Sequence, residues 1–372
     1  MEKSFFIHCI HEYIHLLSLY LNKKESTDLV IDDGRFSFFI KISKHHSLTA
    51  FLYQALVNVR AIINNDYLKE LEKYYLANLR KCILFDKERE DLFNYLNEEQ
   101  IDYLPLKGII LKNLYLDPFT REFADNDILF ADSSSSLIKN YFVKHGYDVC
   151  SYEKSGHDVY TKKPFFNFEM HRALFSPNGK NDRVVMYFKD YLFKAPVKEG
   201  YEHYLSDEDF FIYFIAHSYK HYDRSGCGIR TLIDIYIFLK NKQLDFNYVN
   251  QELEKLDLLT FSNEIINLSN ALFDEQTLNK AQEEFLLYIA SSGTYGTLNH
   301  SVDKGIEEKG KTGYLLFRLF PPYSSYKTLY PWAYKCPILI PIAWIVRFFR
   351  ILFNNPEKAT KEIRIINNKN KK

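Results

Sequence analysis

The sequence predicts an α+β fold: a small mixed β-sheet embedded between N-terminal helices and a C-terminal helical region. Three observations predict it. Residues 4–98 place apolar side chains mostly at helical spacing, residues 101–171 break into short apolar runs separated by turn residues, and helical spacing returns at Asp207. With 372 residues, the chain is long enough for one large or two medium domains. It divides into a helical region (1–98), a mixed core (99–200), a second helical region (201–300) and a proline- and aromatic-rich terminal segment (301–372).

Composition narrows the function classes. The chain is 47% hydrophobic and 26% charged, an ordinary globular balance, and its 29 Tyr and 31 Phe point to an aromatic-filled core. Lys plus Arg equals Asp plus Glu at 48 each, so no global field draws the chain onto long DNA, although a local basic cleft is compatible with this balance. The five cysteines are scattered without a CxxC pair, which fits reduced cytosolic thiols better than disulfides or a zinc site, and a cytoplasmic location is expected. The N-terminal stretch spreads charge and histidine through its apolar residues and shows no small-residue cleavage site, so no signal peptide is expected.

Taken in order, Phe6, Ile10, Ile14, Leu17 and Leu21 form an amphipathic stripe, with His8, His11 and His15 on another face as a polar row rather than a metal site. Helical patterns follow over Ser43–Ile63 and Asp66–Glu98. Ile101–Leu106 reads as a short strand running into Lys107-Gly108, then a helical segment Ile109–Tyr115 and a turn at Asp117-Pro118. Asp125-Asn126-Asp127 leads into the apolar Ile128-Leu129-Phe130. On a strand, Asp125 and Asp127 share a face roughly 7 Å apart, and two such carboxylates repel unless a divalent cation neutralises them. A helix over Ser135–His145 stops at Gly146, and three strand-like runs follow, Tyr147–Tyr152, His157–Thr161 and Pro164–His171. In the last, Phe166, Phe168 and Met170 alternate with Asn167, Glu169 and His171, which turns Glu169 toward the same cleft as a third carboxylate.

The helix Asp207–Tyr222 carries His217 and His221 four residues apart, and the next carries Arg230 and Asp234 at the same spacing. The two histidines read as a polar docking face or substrate contacts rather than a zinc site, and Arg230–Asp234 as an intrahelical ion pair. Helical patterns continue over Leu253–Asn270 and Gln276–Ser291. Ile342–Phe353 is very apolar but short and interrupted by Arg347 and Arg350, so it reads as a core-packed terminal helix, with an interfacial membrane helix as the other reading. Residues after Pro356 read as a frayed, Lys/Asn-rich tail.

At Lys107-Gly108, Arg121, Asp125-x-Asp127 and Glu169-x-His171, the sequence resembles an uncharacterised bacterial nucleotidyltransferase family of the DNA polymerase beta-like superfamily. The family's apolar strand ending in Leu-Lys-Gly, its helix, Arg, Asp-x-Asp strand and later Glu-x-His strand all appear in order. The resemblance extends to the helical stretch around His217, His221, Arg230 and Asp234, and to the proline-punctuated segment ending near Arg347.

It implies that Asp125, Asp127 and Glu169 hold Mg²⁺ or Mn²⁺, with Glu169 helping to deprotonate the acceptor hydroxyl. Lys107, Gly108 and Arg121 would bind the triphosphate of an NTP such as ATP, and His171, His217, His221 and Arg230 are candidate substrate contacts. Two departures stand out: Ile109 where many members have Ser, and Asn126 where an apolar residue is commoner, which is expected to loosen the strand's packing. Metal-dependent transfer of a nucleotide to an unknown hydroxyl acceptor follows. The acceptor classes open at this point are a small molecule, a sugar, a protein side chain and RNA. The competing readings are a non-catalytic nucleotide-binding scaffold and a membrane-surface adaptor working through Ile342–Phe353.

Overall fold

The structure is a computed structural model that describes residues 3–26, 28–154, 156–176, 181–294, 296–354 and 356–368. It divides into two compact units, Met1–Tyr219 with Gly228–Thr294, and Lys220–Cys227 with Tyr295–Lys372.

The first unit opens with helix α1 (Lys3–Leu21). Its histidines reach separate carboxylates, His8 to Glu12, His11 to Glu283 and His15 to Glu275, at 3.1–3.4 Å. Strand β1 (Val30–Ile31), helices α2 (Asp33–His46) and α3 (Thr49–Val59) and strand β2 (Ile62–Ile63) follow. The single helix expected over Ser43–Ile63 is broken, because Ser47 turns left-handed (φ 53°) and its N–H closes α2 on the Ser43 carbonyl. Ile62 and Ile63 leave α3 to pair in parallel with Val30 and Ile31. Helix α4 (Asn65–Glu98) then runs unbroken for 34 residues, with Asn64 accepting the Asp66 N–H at its start. Its buried stripe is Leu71, Cys82, Phe85, Arg89, Leu92 and Leu96.

The mixed sheet begins at β3 (Tyr103–Pro105), followed by the single turn α5 (Gly108–Leu111), β4 (Asn126–Phe130) and α6 (Ser135–Lys144). Strands β5 (Asp148–Ser151), β6 (His157–Lys162) and β7 (Phe166–His171), helix α7 (Asp182–Tyr187) and the short β8 (Val197–Glu199) and β9 (Glu202–His203) complete it. Spatial order is β5-β6-β7-β4-β3-β9-β8, with β4 parallel to β7 and antiparallel to β3.

Strand β4 is buried along its whole length because it sits between β3 and β7. Alternation sends Ile128 and Phe130, with Phe168, Met170 and Tyr160 of its neighbours, into a core with Phe85, Leu92 and Leu96 of α4 and Phe142 of α6. Asp127, Leu129, Glu169 and His171 are thereby left for the opposite face. Asn126 lies on the core side with its side chain fully buried: its Oδ1 accepts from Arg89 of α4 at 3.0 Å, while its Nδ2 finds no hydrogen-bond partner among the described residues.

Helices α8 (Asp207–Arg224), α9 (Ile229–Asn241), α10 (Phe246–Lys255), α11 (Leu259–Phe273) and α12 (Lys280–Ser292) follow, with the last residues of α8 belonging to the second unit. Asp257, left-handed at φ 60°, separates α10 from α11 where one helix was expected. His46, at the end of α2, ties three helices of this unit together. Its Nδ1 accepts the Ile229 N–H that opens α9, and its Nε2 donates to the Ala290 carbonyl of α12, both at 3.0 Å.

In the second unit, α13 (Leu298–Leu319) kinks at Gly310 (φ 69°). Helices α14 (Tyr323–Leu329), α15 (Pro331–Lys335) and α16 (Ile340–Asn354) gather around Tyr326, Tyr330, Ala333 and Ala343. The residues expected to fray form α17 (Pro356–Asn368) as far as the described residues extend, and 369–372 lie outside them. Helix α17 is held on α13 by Val302, Tyr314 and Ile366, and by Glu362 accepting from both Tyr314 and Arg318. The core-packed terminal helix is corrected here: Trp344, Phe348 and Phe349 of α16 are exposed, as is Trp332 of α15. Among the described residues, no helix is long and apolar enough to cross a membrane.

Candidate functional site

The polar face of β4 and β7 carries the site. The parallel register pairs Asp127 with Glu169 and Leu129 with His171, so strand pairing alone puts the two carboxylates side by side. One oxygen of Asp127, one of Glu169 and a ring nitrogen of His171 lie within 4.8 Å of one another, the metal-compatible trio among the described residues. Asp127 Oδ1 accepts from His171 Nε2 at 2.7 Å and from Lys107 Nζ at 2.8 Å. Because a carboxylate oxygen only accepts, His171 carries its proton on Nε2 and serves to orient Asp127.

Lys107 reaches this position by an unusual route. Its backbone adopts φ 46°, ψ −112°, a conformation that costs energy for any residue with a Cβ, at the point where β3 turns into α5. Helix α5 is one turn of four residues, and the Ile109 and Ile110 N–H groups already bond to the Leu106 and Lys107 carbonyls.

The electrostatics follow from this convergence. Burial would raise the Asp127 carboxyl, but Lys107 and His171 hold it below the usual carboxylate range. Burial would lower the Lys107 ammonium, and Asp127 outweighs that and raises it. Burial pulls the His171 imidazole down to about 4 against the opposing pull of Asp127, so the ring is neutral at physiological pH. Asp125 lies just before β4 rather than on it, half-buried and outside the trio. Burial, and then the charge of Asp127, push its carboxyl up. Its charge is thus disfavoured by the neighbouring carboxylates of Asp127 and Glu169, while the ligand atoms that converge closely enough for a metal ion are those of Asp127, Glu169 and His171.

The remaining expected residues divide. Arg121 is buried and commits Nε and Nη2 to both oxygens of Asp234 at 2.8 Å, while Tyr115 donates to the same carboxylate. The expected Arg230–Asp234 pair is thus replaced, because the long-range guanidinium presents a bidentate fork; Arg230 instead donates to the Glu122 carbonyl. Arg121 Nη1 lies 2.7 Å from where a Cβ on Gly108 would be, so only glycine fits between this strut and the turn carrying Lys107. His217 of α8 has its ring 6.1 Å from that of Tyr213, and neither His217 nor His221, which falls in the second unit, joins the trio.

Two neighbours escaped the sequence reading. His157 faces Glu169 at 3.7 Å across the β6–β7 pair, and burial raises the phenol of Tyr213 of α8, near Lys107, so that it stays neutral. His157–Thr161 read as a strand-like run, but nothing in sequence set its register against β7.

A profile described as an uncharacterised nucleotidyltransferase matches residues 32–274, more than half of the chain and all of the mixed sheet. No curated protein and no solved structure matches. The chain belongs to this uncharacterised nucleotidyltransferase family.

Proposed function

From that membership, we propose that the protein transfers a nucleoside monophosphate from an NTP to a hydroxyl acceptor at the β4–β7 face, with Asp125, Asp127 and Glu169 holding Mg²⁺ or Mn²⁺. The in-register pairing of Asp127 with Glu169, beside a lysine and an imidazole on the same Asp127 oxygen, carries this reading. When bound, the divalent cation supplies positive charge against the negative charge that grows on the attacking and leaving oxygens.

The chain's own residues supply the rest. Lys107, paired with Asp127, exchanges that contact for triphosphate oxygens when the nucleotide binds. Gly108 keeps the turn close to Arg121, which acts as a positioning strut through Asp234. His171 holds Asp127 in one rotamer through its Nε2 proton. Glu169, half-buried, takes the proton of the acceptor hydroxyl as the acceptor's oxygen bonds to the α-phosphorus. The bond between the α-phosphorus and the bridging oxygen breaks, and pyrophosphate leaves.

The test incubates the protein with each α-labelled NTP, with Mg²⁺ or Mn²⁺, and fractions of a cell lysate. Metal-dependent release of pyrophosphate together with label on a new product is expected. Metal-independent NTP binding, or unchanged transfer by Asp127→Ala, refutes the proposal.

A further inference from the structure

The site leaves one feature of the chain unused, the exposed apolar surface of the second unit. Helix α16 presents Ile342, Ile345, Phe349 and Phe353 at i, i+3, i+7 and i+11, a single helical stripe, and these side chains are 51–75% exposed. Among the described side chains of α16, Ala343 is the buried one. A soluble domain rarely leaves so continuous an apolar stripe bare.

Charge and aromatic chemistry identify what covers it. Residues 312–356 contain Arg318, Lys327, Lys335, Arg347 and Arg350 and no acidic residue, in a chain whose charges balance as a whole, and of these Arg318 is paired with Glu362 of α17. Lys335 and Arg350 are exposed beside the apolar side chains. Both tryptophans of the chain, Trp332 and Trp344, are exposed in the same segment, and the Trp344 indole N–H is satisfied by the Tyr326 hydroxyl. An exposed apolar stripe, exposed indoles and the exposed cations Lys335 and Arg350 together make the composition of the bilayer interface. At 15 residues α16 spans roughly 22 Å, shorter than a hydrocarbon core of about 30 Å.

We infer that α15 and α16 form an in-plane anchor for an anionic lipid surface, with the apolar stripe in the acyl boundary and Lys335 and Arg350 on the headgroups.

Because both tryptophans lie in the anchor, intrinsic fluorescence of the full chain reads it directly. Titration with vesicles of phosphatidylglycerol and phosphatidylcholine is expected to shift emission to the blue, and acyl-brominated lipid is expected to quench it. Vesicles of phosphatidylcholine alone are expected to do neither. The double variant Phe349→Ser/Phe353→Ser changes only exposed positions, and it should weaken binding about tenfold or more with an unchanged far-UV spectrum. Arg350→Glu should abolish the preference for anionic lipid. Three results would overturn the inference: no shift with anionic vesicles, an equal shift with neutral ones, or a shift that follows protein concentration without vesicles, which would assign the face to a second copy of the chain.

Discussion

Deleting the Asp127 carboxylate should destabilise the metal-free protein, although it removes one of three crowded acids. Repulsion alone predicts the opposite sign, and the contacts decide between them. The Lys107 and Asp127 side chains are 18% and 7% exposed, and Oδ1 receives two hydrogen bonds, from Lys107 Nζ at 2.8 Å and His171 Nε2 at 2.7 Å. Removing one member of a buried ion pair costs about 3–5 kcal/mol, because the other is left charged and out of water. Residual exposure of Lys107 and the nearby charge of Asp125 place Asp127→Ala at the low end, about 3 kcal/mol. Urea unfolding followed by far-UV circular dichroism, in chelator, measures this. In a cycle with Lys107→Met, which removes the stranded ammonium, the double variant should recover about 1.5 kcal/mol or more of the summed losses. Asp125→Asn should be neutral or stabilising, since burial and Asp127 both disfavour its charge. An Asp127→Ala protein as stable as the parent, or a coupling below about 0.5 kcal/mol, would refute the reasoning.

Three further outcomes test other parts of the structure. Glu169→Gln should keep metal-dependent NTP binding by calorimetry while slowing single-turnover transfer by about 10²-fold or more, and equal losses in both would remove its role as proton acceptor. Gly108→Ala puts a Cβ 2.7 Å from Arg121 Nη1, which Asp234 prevents from yielding, so NTP affinity should fall with little change in the far-UV spectrum; unchanged affinity would show that the turn tolerates the displacement. His46 is fully buried, and burial lowers its imidazole from 6.5 to about 3 despite its bond to the Ala290 carbonyl. The unfolded chain therefore binds the extra proton first, and the neutral ring's contribution is complete above pH 6.5 and lost as pH falls toward 3, by about 1.4 kcal/mol per pH unit. His46→Gln should be less stable than the parent at pH 7.5, with the gap narrowing at pH 4.5; a gap independent of pH would show that His46 is not the titrating group.

Much of the site was legible because it is local. Alternation in Phe166–His171 assigned Phe168 and Met170 to the core and Glu169 to the open face, as observed, and Lys107-Gly108 marked the turn after a strand. Less legible was how these pieces are partnered. Arg121 read as a phosphate contact and Asp234 as the partner of Arg230, yet the two meet across 113 residues in a buried fork. Helix ends at Ser47 and Asp257 also escaped, because a non-glycine residue in the left-handed region carries no compositional mark. The apolar terminal helix read as core from its composition, which reports hydrophobicity but not whether any surface is available to cover it.

By itself, then, the sequence determined the α+β class, the helical flanks, the strand faces and the acidic character of the central strand, since each is written in side-chain periodicity over a few residues. Only the tertiary structure decided which groups share a charge. The parallel register of β4 and β7 sets Glu169 beside Asp127, the strained turn at Lys107 aims its ammonium at the same oxygen, and His171 becomes the orienting donor. Those relations depend on strand pairing and on contacts between residues 20 or 44 positions apart, where no local pattern reaches.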